Sequence, residues 1–263
     1  MTQYRTLNPA TEKLIREYPA LTWKEAEKKA AETRAAYDLH AQGTQSQPLS
    51  ERLKKVQNLS RLLRERTETF ASLITEEMGK PIVQARYEID KCSRGCDYYL
   101  AHAAEHLREE MVKTEAGKSY VRFGPLVVIL GIMPWNFPFW QVFRFAVPAL
   151  LAGNTILVKP APCVPASSLA IEALFREAGF AAGELQSLFL TDEEAARLIE
   201  SSWIQGVSLT GSDRAGSAVG AVAGRSLKKM VFELGGSDPF VVFEDADLDL
   251  AVSQAVRSRP HRR

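Results

Sequence analysis

Four short segments of the sequence place reactive side chains beside chain-turning residues. Asn136 lies in Met133-Pro134-Trp135-Asn136-Phe137-Pro138, between two prolines. A carboxamide held in so stiff a turn suits donation to an oxygen that gains charge during a reaction, a role worth about 10²–10³ in rate. The plainer alternative is a turn Asn bonding its own backbone. Glu233 closes the apolar run Lys229–Glu233 just before Gly235 and Gly236. Burial there would raise its pKa toward the range of a general base, unless it is simply a satisfied edge carboxylate. Lys159, followed by Pro160-Ala161-Pro162, offers an ammonium for a ribose or phosphate, or is a solvated strand-end lysine. Thr210-Gly211-Ser212 leads straight into a helical pattern. A helix N-terminus carries free N–H groups and a partial positive charge, and Gly211 lets a phosphate approach. An ordinary N-cap with a tight turn is the alternative.

The elements that must position these residues divide the chain in two. Residues 1–112 read as helical, the N-terminal helical part of a cofactor domain. Thr22-Trp-Lys-Glu25 is a capping box, followed by alanines toward Gly43. A pattern from Ser50 carries Leu53, Val56, Leu59 and Leu63 on one face, resumes through Phe70, Leu73, Ile74 and Met78, and stops at Gly79-Lys80-Pro81. A third helix is predicted over about 82–111. Residues 113–125 form a connecting, interface-type hairpin region. From 126 to 256 short β-rich runs alternate with helical ones. Strands are predicted at 126–132, 154–159, 186–190, 203–209, 229–233 and 239–243. Helices are predicted at 140–151, 167–178, after Thr191, after Ser212 and from about Asp245 or Asp247. Strands apolar on both faces that alternate with helices imply an α/β fold, a doubly wound, Rossmann-like parallel sheet behind N-terminal helices. In such sheets ligands bind beyond the carboxyl ends of the strands, where all four segments fall.

Composition narrows the function classes. The 263 residues carry 33 Lys plus Arg against 32 Asp plus Glu, a net charge of +1, so nothing drives the whole chain toward nucleic acid or anionic lipid. Three cysteines (Cys92, Cys96, Cys163) and a start without an apolar signal segment point to a reducing, cytoplasmic setting. Residues 123–143 include a charge-free stretch about long enough to span a bilayer, but Pro125, Pro134 and Pro138 would leave backbone groups unsatisfied there. No membrane partner is expected. Cys92, Cys96, His102 and His106 form two i, i+4 pairs too far apart along one helix to meet at one ion, so no metal site is expected. The segment from Gly211 to Ser217 brushes a Walker A pattern but has Ser217 where the lysine is required, and no GxGxxG is present.

Taken together, MPWNFP, LVKPAP, LTGSDRAG and FELGGSDPF, with EMGKP at 77–81, resemble the aldehyde dehydrogenase superfamily over essentially the whole chain to about Ser258. The wording of the first and last is most similar to the bacterial succinate-semialdehyde dehydrogenase branch. The resemblance implies oxidation of an aldehyde to its acid with NAD or NADP, through a cysteine thiohemiacetal, hydride transfer and thioester hydrolysis. It assigns Asn136 to the oxyanion hole and Glu233 to the general base. It puts Met133, Pro134, Trp135, Asn136, Lys159, Pro160, Ala161, Pro162, Gly211, Ser212 and Leu234 on the cofactor. Full-length relatives in the family form homo-oligomers.

Two departures stand out. NAD-preferring relatives often carry Glu where this chain has Pro162, so NADP is expected to be tolerated. The family's nucleophilic cysteine, in Gly-Gln-x-Cys, follows the general base at a distance that falls beyond Arg263, and that motif is absent from the sequence. Residues 257–263 are a basic tail foreign to the family, with Arg257, Arg259, Arg262 and Arg263 as its only nucleic-acid-like feature. The expectation is a chain cut short by a frameshift, a premature stop or a gene-model truncation, lacking the catalytic domain and inactive as written. A non-catalytic module binding dinucleotide or a partner subunit is the other reading.

Overall fold

The computed structural model describes residues 4–41 and 47–258. Gly43 and the tail from Arg259 therefore lie outside the described residues. The chain opens on a hairpin, β1 (Tyr4–Leu7) against β2 (Leu14–Tyr18), where the sequence predicted helix. β2 faces solvent for most of its length, so it shows no apolar alternation to read. Four helices follow: α1 (Trp23–Ala41), α2 (Leu49–Glu65), α3 (Thr67–Met78) and α4 (Ile82–His106). The third predicted helix stops short of Met111, because β3 (Glu110–Met111) pairs with β4 (Tyr120–Val121) instead.

The rest is a parallel five-stranded sheet wrapped by helices, in line with the α/β fold expected. Its elements are β5 (Val128–Ile132), α5 (Trp140–Leu151), β6 (Thr155–Lys159), α6 (Pro165–Glu177), β7 (Leu185–Ser187), α7 (Asp192–Glu200), β8 (Gly206–Thr210), α8 (Asp213–Arg225), β9 (Lys229–Glu233) and α9 (Leu248–Ser258). The spatial order is β7-β6-β5-β8-β9. Ile132 pairs with Lys159 and Thr210 with Glu233 at the carboxyl ends. The order reverses between β5 and β8, and a doubly wound sheet opens its ligand crevice at that switch point.

Alternate side chains of the strands feed two cores. Val128, Leu130, Leu157 and Val207 pack with Ala26 and Ala30 of α1 and with α7 and α8. Ile156 and Val158 face the opposite way, into the larger core built from α2 to α6. Parallel strands covered on both faces have no polar side to display, which is why they read as continuous apolar runs. The uncharged stretch from 123 is divided between β5 and α5, and no described helix is long and apolar enough to cross a membrane.

The predicted strand at 239–243 does not form; Phe240 to Phe243 are exposed. β9 ends the ladder among the described residues, and an apolar run becomes strand only where a neighbour offers hydrogen bonds. The run at 203–209 begins its strand only at Gly206, and that at 186–190 ends at Ser187.

Candidate functional site

The turn after β5 is fixed at both ends. The Met133 N–H donates to the Lys159 carbonyl at 3.0 Å, tying it to β6. At its far end Glu88 Oε1 accepts from the N–H groups of Phe139 (2.9 Å) and Trp140 (3.0 Å), at the start of α5. Between these anchors Trp135 and Asn136 project to solvent, Trp135 at 48% exposure. Among the described residues nothing hydrogen-bonds the Asn136 carboxamide, so it does not close its own turn.

Lys159 is not a solvated strand-end lysine. Its side chain is 7% exposed, and Nζ lies 3.2 Å from Asp192 Oδ1 at the start of α7. The following turn is braced by the N-terminal hairpin: the Arg5 N–H donates to the Pro162 carbonyl at 3.1 Å. Beside it the Tyr4 hydroxyl donates to the Leu190 carbonyl at 2.9 Å. Pro160 is buried, and Ala161 and Pro162 are half-buried.

After β8, Ser212 is the N-cap of α8, its Oγ accepting from the Ala215 N–H at 3.2 Å. The Gly211 N–H is taken by the Glu233 carbonyl at 3.0 Å. Asp213 accepts from the Gly235 N–H at 3.2 Å, so the turn after β9 is tied to the first turn of α8. Leu234 lies over Gly216 so closely that a β-carbon there would stand 2.5 Å from Leu234 Cδ2.

Glu233 differs from its expectation. Its side chain is 55% exposed rather than buried, because β9 is the edge of the described sheet, and its Oε1 lies 3.5 Å from Arg144 Nη1. The burial invoked for a general base is absent here. Arg144 also donates to Thr210 Oγ1 at 3.3 Å, so one guanidinium joins α5 to the ends of β8 and β9.

The carboxyl edge thus collects an amide, an ammonium, a capped helix N-terminus and a carboxylate. Three helices there already have N-terminal donors satisfied by protein. Glu88 serves α5, and Glu77 serves α6 through the N–H groups of Ala166 (2.7 Å) and Ser167 (2.8 Å). Thr191 and Glu194 cap α7 as a capping box. The exposed start of α8 is the most open of them, and its dipole and Ser212 suit a pyrophosphate. Asp213 in the same turn opposes an anion, so a phosphate there depends on backbone donors rather than on net charge. The donor set fits a dinucleotide.

Sequence reasoning gave no role to Tyr4, Arg5, Glu77, Lys80, Glu88 or Arg144. A signal existed for Glu88, which falls on the apolar stripe of Ala85, Ile89, Cys92 and Cys96 along α4. For Arg144 there was none beyond its place one turn into a helix that follows a site loop.

None of the cysteines is an activated thiol. Cys92 and Cys96 are fully buried in the larger core, and burial pushes Cys92 well up and Cys96 to about 12. Burial also raises Cys163, beyond the Pro160–Pro162 turn. His102 and His106 lie against the Tyr98 ring on the same helix, away from the Cys92–Cys96 pair's core position.

Comparison with known proteins gives this arrangement its context. The model of the aldehyde dehydrogenase family matches residues 1–260. The chain is 44% identical over 257 residues to a probable NADP(+) succinate-semialdehyde dehydrogenase of Synechocystis sp., covering 97% of this chain and 55% of that relative. It is 47% identical over 208 residues to the NAD(P)+ succinate semialdehyde dehydrogenase Sad of Escherichia coli, covering 79% of this chain and 45% of the relative. The solved succinic semialdehyde dehydrogenase of Streptococcus pyogenes, in complex with NADP+, superposes with a TM-score of 0.89 at 32% identity, covering 94% of this chain and 53% of that one. The chain spans about half the length of the relatives it matches.

Proposed function

The chain belongs to the aldehyde dehydrogenase family, and from that premise we propose that its carboxyl-edge crevice is the NAD(P) site of an enzyme oxidising succinate semialdehyde to the acid. The observation that carries this reading is the convergence of Asn136, Lys159, Ser212 and Glu233 on one edge at the switch point of the sheet. Ser212 and the α8 N-terminus receive the pyrophosphate, Lys159 and the 160–162 turn hold the adenosine ribose, and Met133 to Trp135, with Leu234, flank the remainder of the cofactor. Pro162 brings no carboxylate to repel a 2′-phosphate, which agrees with the NADP named for the relatives.

The bound dinucleotide supplies a hydride acceptor. Asn136 would donate to the oxyanion of the substrate adduct, and Glu233 would take the proton of the hydrolytic water. Arg144 pairs with Glu233 and suits a substrate whose far end carries a carboxylate.

No cysteine in these 263 residues is placed or activated to form the adduct, so we propose that the chain alone binds dinucleotide without oxidising aldehyde. Its three free cysteines suit the cytoplasm. The exposed apolar residues of β9 and α9 favour a second reading, a non-catalytic module that joins a partner subunit. Calorimetry with NADP and NAD, followed by a turnover assay with succinate semialdehyde, tests both. Binding without turnover is the expected result. Absence of binding contradicts the dinucleotide site, and brisk turnover contradicts the missing nucleophile.

A further inference from the structure

The segment Glu77-Met-Gly-Lys-Pro81 runs from the last residues of α3 to the start of α4, far along the sequence from the crevice, yet it sends charged side chains under it. Gly79 adopts a left-handed conformation (φ 75°) as the C-cap of α3, and a β-carbon there would stand 2.8 Å from Pro9 Cγ. That turn directs Lys80 inward, where it is buried and ion-paired with Glu88 Oε2. Both side chains are almost fully excluded from solvent, at 2% and 0% exposure. The other oxygen of Glu88 takes the N–H groups of Phe139 and Trp140. Lys80 Nζ also lies 3.7 Å above the centre of the Phe137 ring, the residue next to Asn136.

A buried charge pair is a poor source of net stability, because desolvating both ions offsets their attraction. An apolar pair of similar volume would fill this space with less desolvation. What the charges add is direction. A carboxylate can accept from two adjacent helix N–H groups while it pairs with a cation, and that cation can sit on a ring face. Each contact ends on the segment that carries Trp135 and Asn136.

We propose that Lys80 and Glu88 are positioning residues: buried beneath the crevice, they clamp Phe137, Phe139 and Trp140 and so fix where Trp135 and Asn136 stand. This rests on the reading of the Met133–Pro138 turn as part of the dinucleotide site. The pair touches neither cofactor nor substrate and acts only through the backbone and the Phe137 ring.

The test compares the full chain with K80M/E88Q, which removes both charges together and so avoids an unpaired buried ion. Amide hydrogen exchange at Phe139 and Trp140, NADP affinity by calorimetry and the midpoint of thermal unfolding are read on each. Exchange at those two amides is expected to quicken about tenfold, and NADP affinity to fall about tenfold, the scale of exchanging a charged hydrogen-bond acceptor for a neutral one. Unfolding should remain close to wild type. If the double variant does not fold, E88D, which keeps the charge pair but shortens its reach, is read in the same way. Unchanged exchange and unchanged affinity in a folded variant would overturn the proposal, leaving the pair a purely structural one. If the wild type binds no dinucleotide, the proposed site has failed. Exchange at Phe139 and Trp140 then decides the clamp alone, with unchanged exchange overturning it.

Discussion

The two ends of the chain hold their parts of the crevice by different means. The Met133–Pro138 and Lys159–Pro162 turns stand on the helical layer, where Glu77, Lys80 and Glu88 are buried and tie together helix starts, the Phe137 ring and Thr6 of the first hairpin. Glu233 stands on β9, whose only sheet neighbour among the described residues is β8, and beyond it Phe240 to Phe243 are exposed and α9 buries nothing. The first region is tied at several points by long-range contacts on either side of the exposed residues. The second is held by one ladder, one hydrogen bond to α8 and the Arg144 ion pair. Pre-organisation in this protein therefore belongs to the turns proposed to hold the cofactor, and the carboxylate proposed as the base has the least support.

The sharpest way to break that contrast is to remove one charge from the buried pair. K80M leaves the Glu88 carboxylate without its cation and is expected to cost about 3–5 kcal/mol in chemical denaturation. A loss below about 1 kcal/mol would mean the pair is not the rigid element described, since that is the scale of an exposed pair.

E77Q comes next. It keeps the size of the side chain but presents an NH₂ to one backbone donor, and is expected to cost about 1–3 kcal/mol. It should also change the pH dependence. Burial raises the Glu77 carboxyl above its ordinary value despite the hydrogen bonds it accepts. Between the ordinary value and the raised one, the folded protein holds a proton that the unfolded chain has lost. The contribution of this group is full below the ordinary glutamate value and is lost as pH rises through the raised one. Denaturation midpoints of wild type against E77Q across that window should show the wild type losing ground with rising pH, and a flat difference would contradict the burial.

G79A places a β-carbon in a left-handed conformation and is expected to cost about 1–2 kcal/mol in chemical denaturation, with more if Pro9 cannot move. At the other end of the molecule, V252D or V256D on α9 should change stability by no more than about 0.5 kcal/mol. Either should reduce any self-association seen by sedimentation, since both residues are exposed, at 62% and 65%. A large loss of stability there would mean that α9 packs more tightly than its burial indicates.

The legible and illegible parts of the sequence divide along the same line. β5, β6 and β8 are readable because a strand covered on both faces must be largely apolar, and a helix after each follows from the crossover; β9 is readable from its apolar run although most of it is exposed. That pattern alone puts Asn136, Lys159 and Ser212 at one edge. The burial of Glu233 is misjudged from sequence because its position at the sheet edge depends on which strand lies beyond it, which no local pattern encodes. The β1–β2 hairpin escapes because its exposed strand carries Leu14, Ile15 and Tyr18 without alternation. Its docking on Phe189 and Pro162 is a contact across most of the chain. Glu77, Lys80 and Glu88 are hidden for a related reason. A charged residue on an apolar helix stripe does not say what it meets, and the backbone donors that Glu77 and Glu88 serve lie at helix starts far downstream.

The convergence itself is tested most directly by the footprint of NADP on amide hydrogen exchange across the whole chain. Protection should rise together, at one ligand concentration, in residues 133–136, 159–162 and 211–213, with α9 and the β3–β4 hairpin unchanged. Protection confined to one of these segments, or appearing at the opposite end of the sheet around Arg52 and Asn154, would contradict a single crevice at the carboxyl ends of the strands.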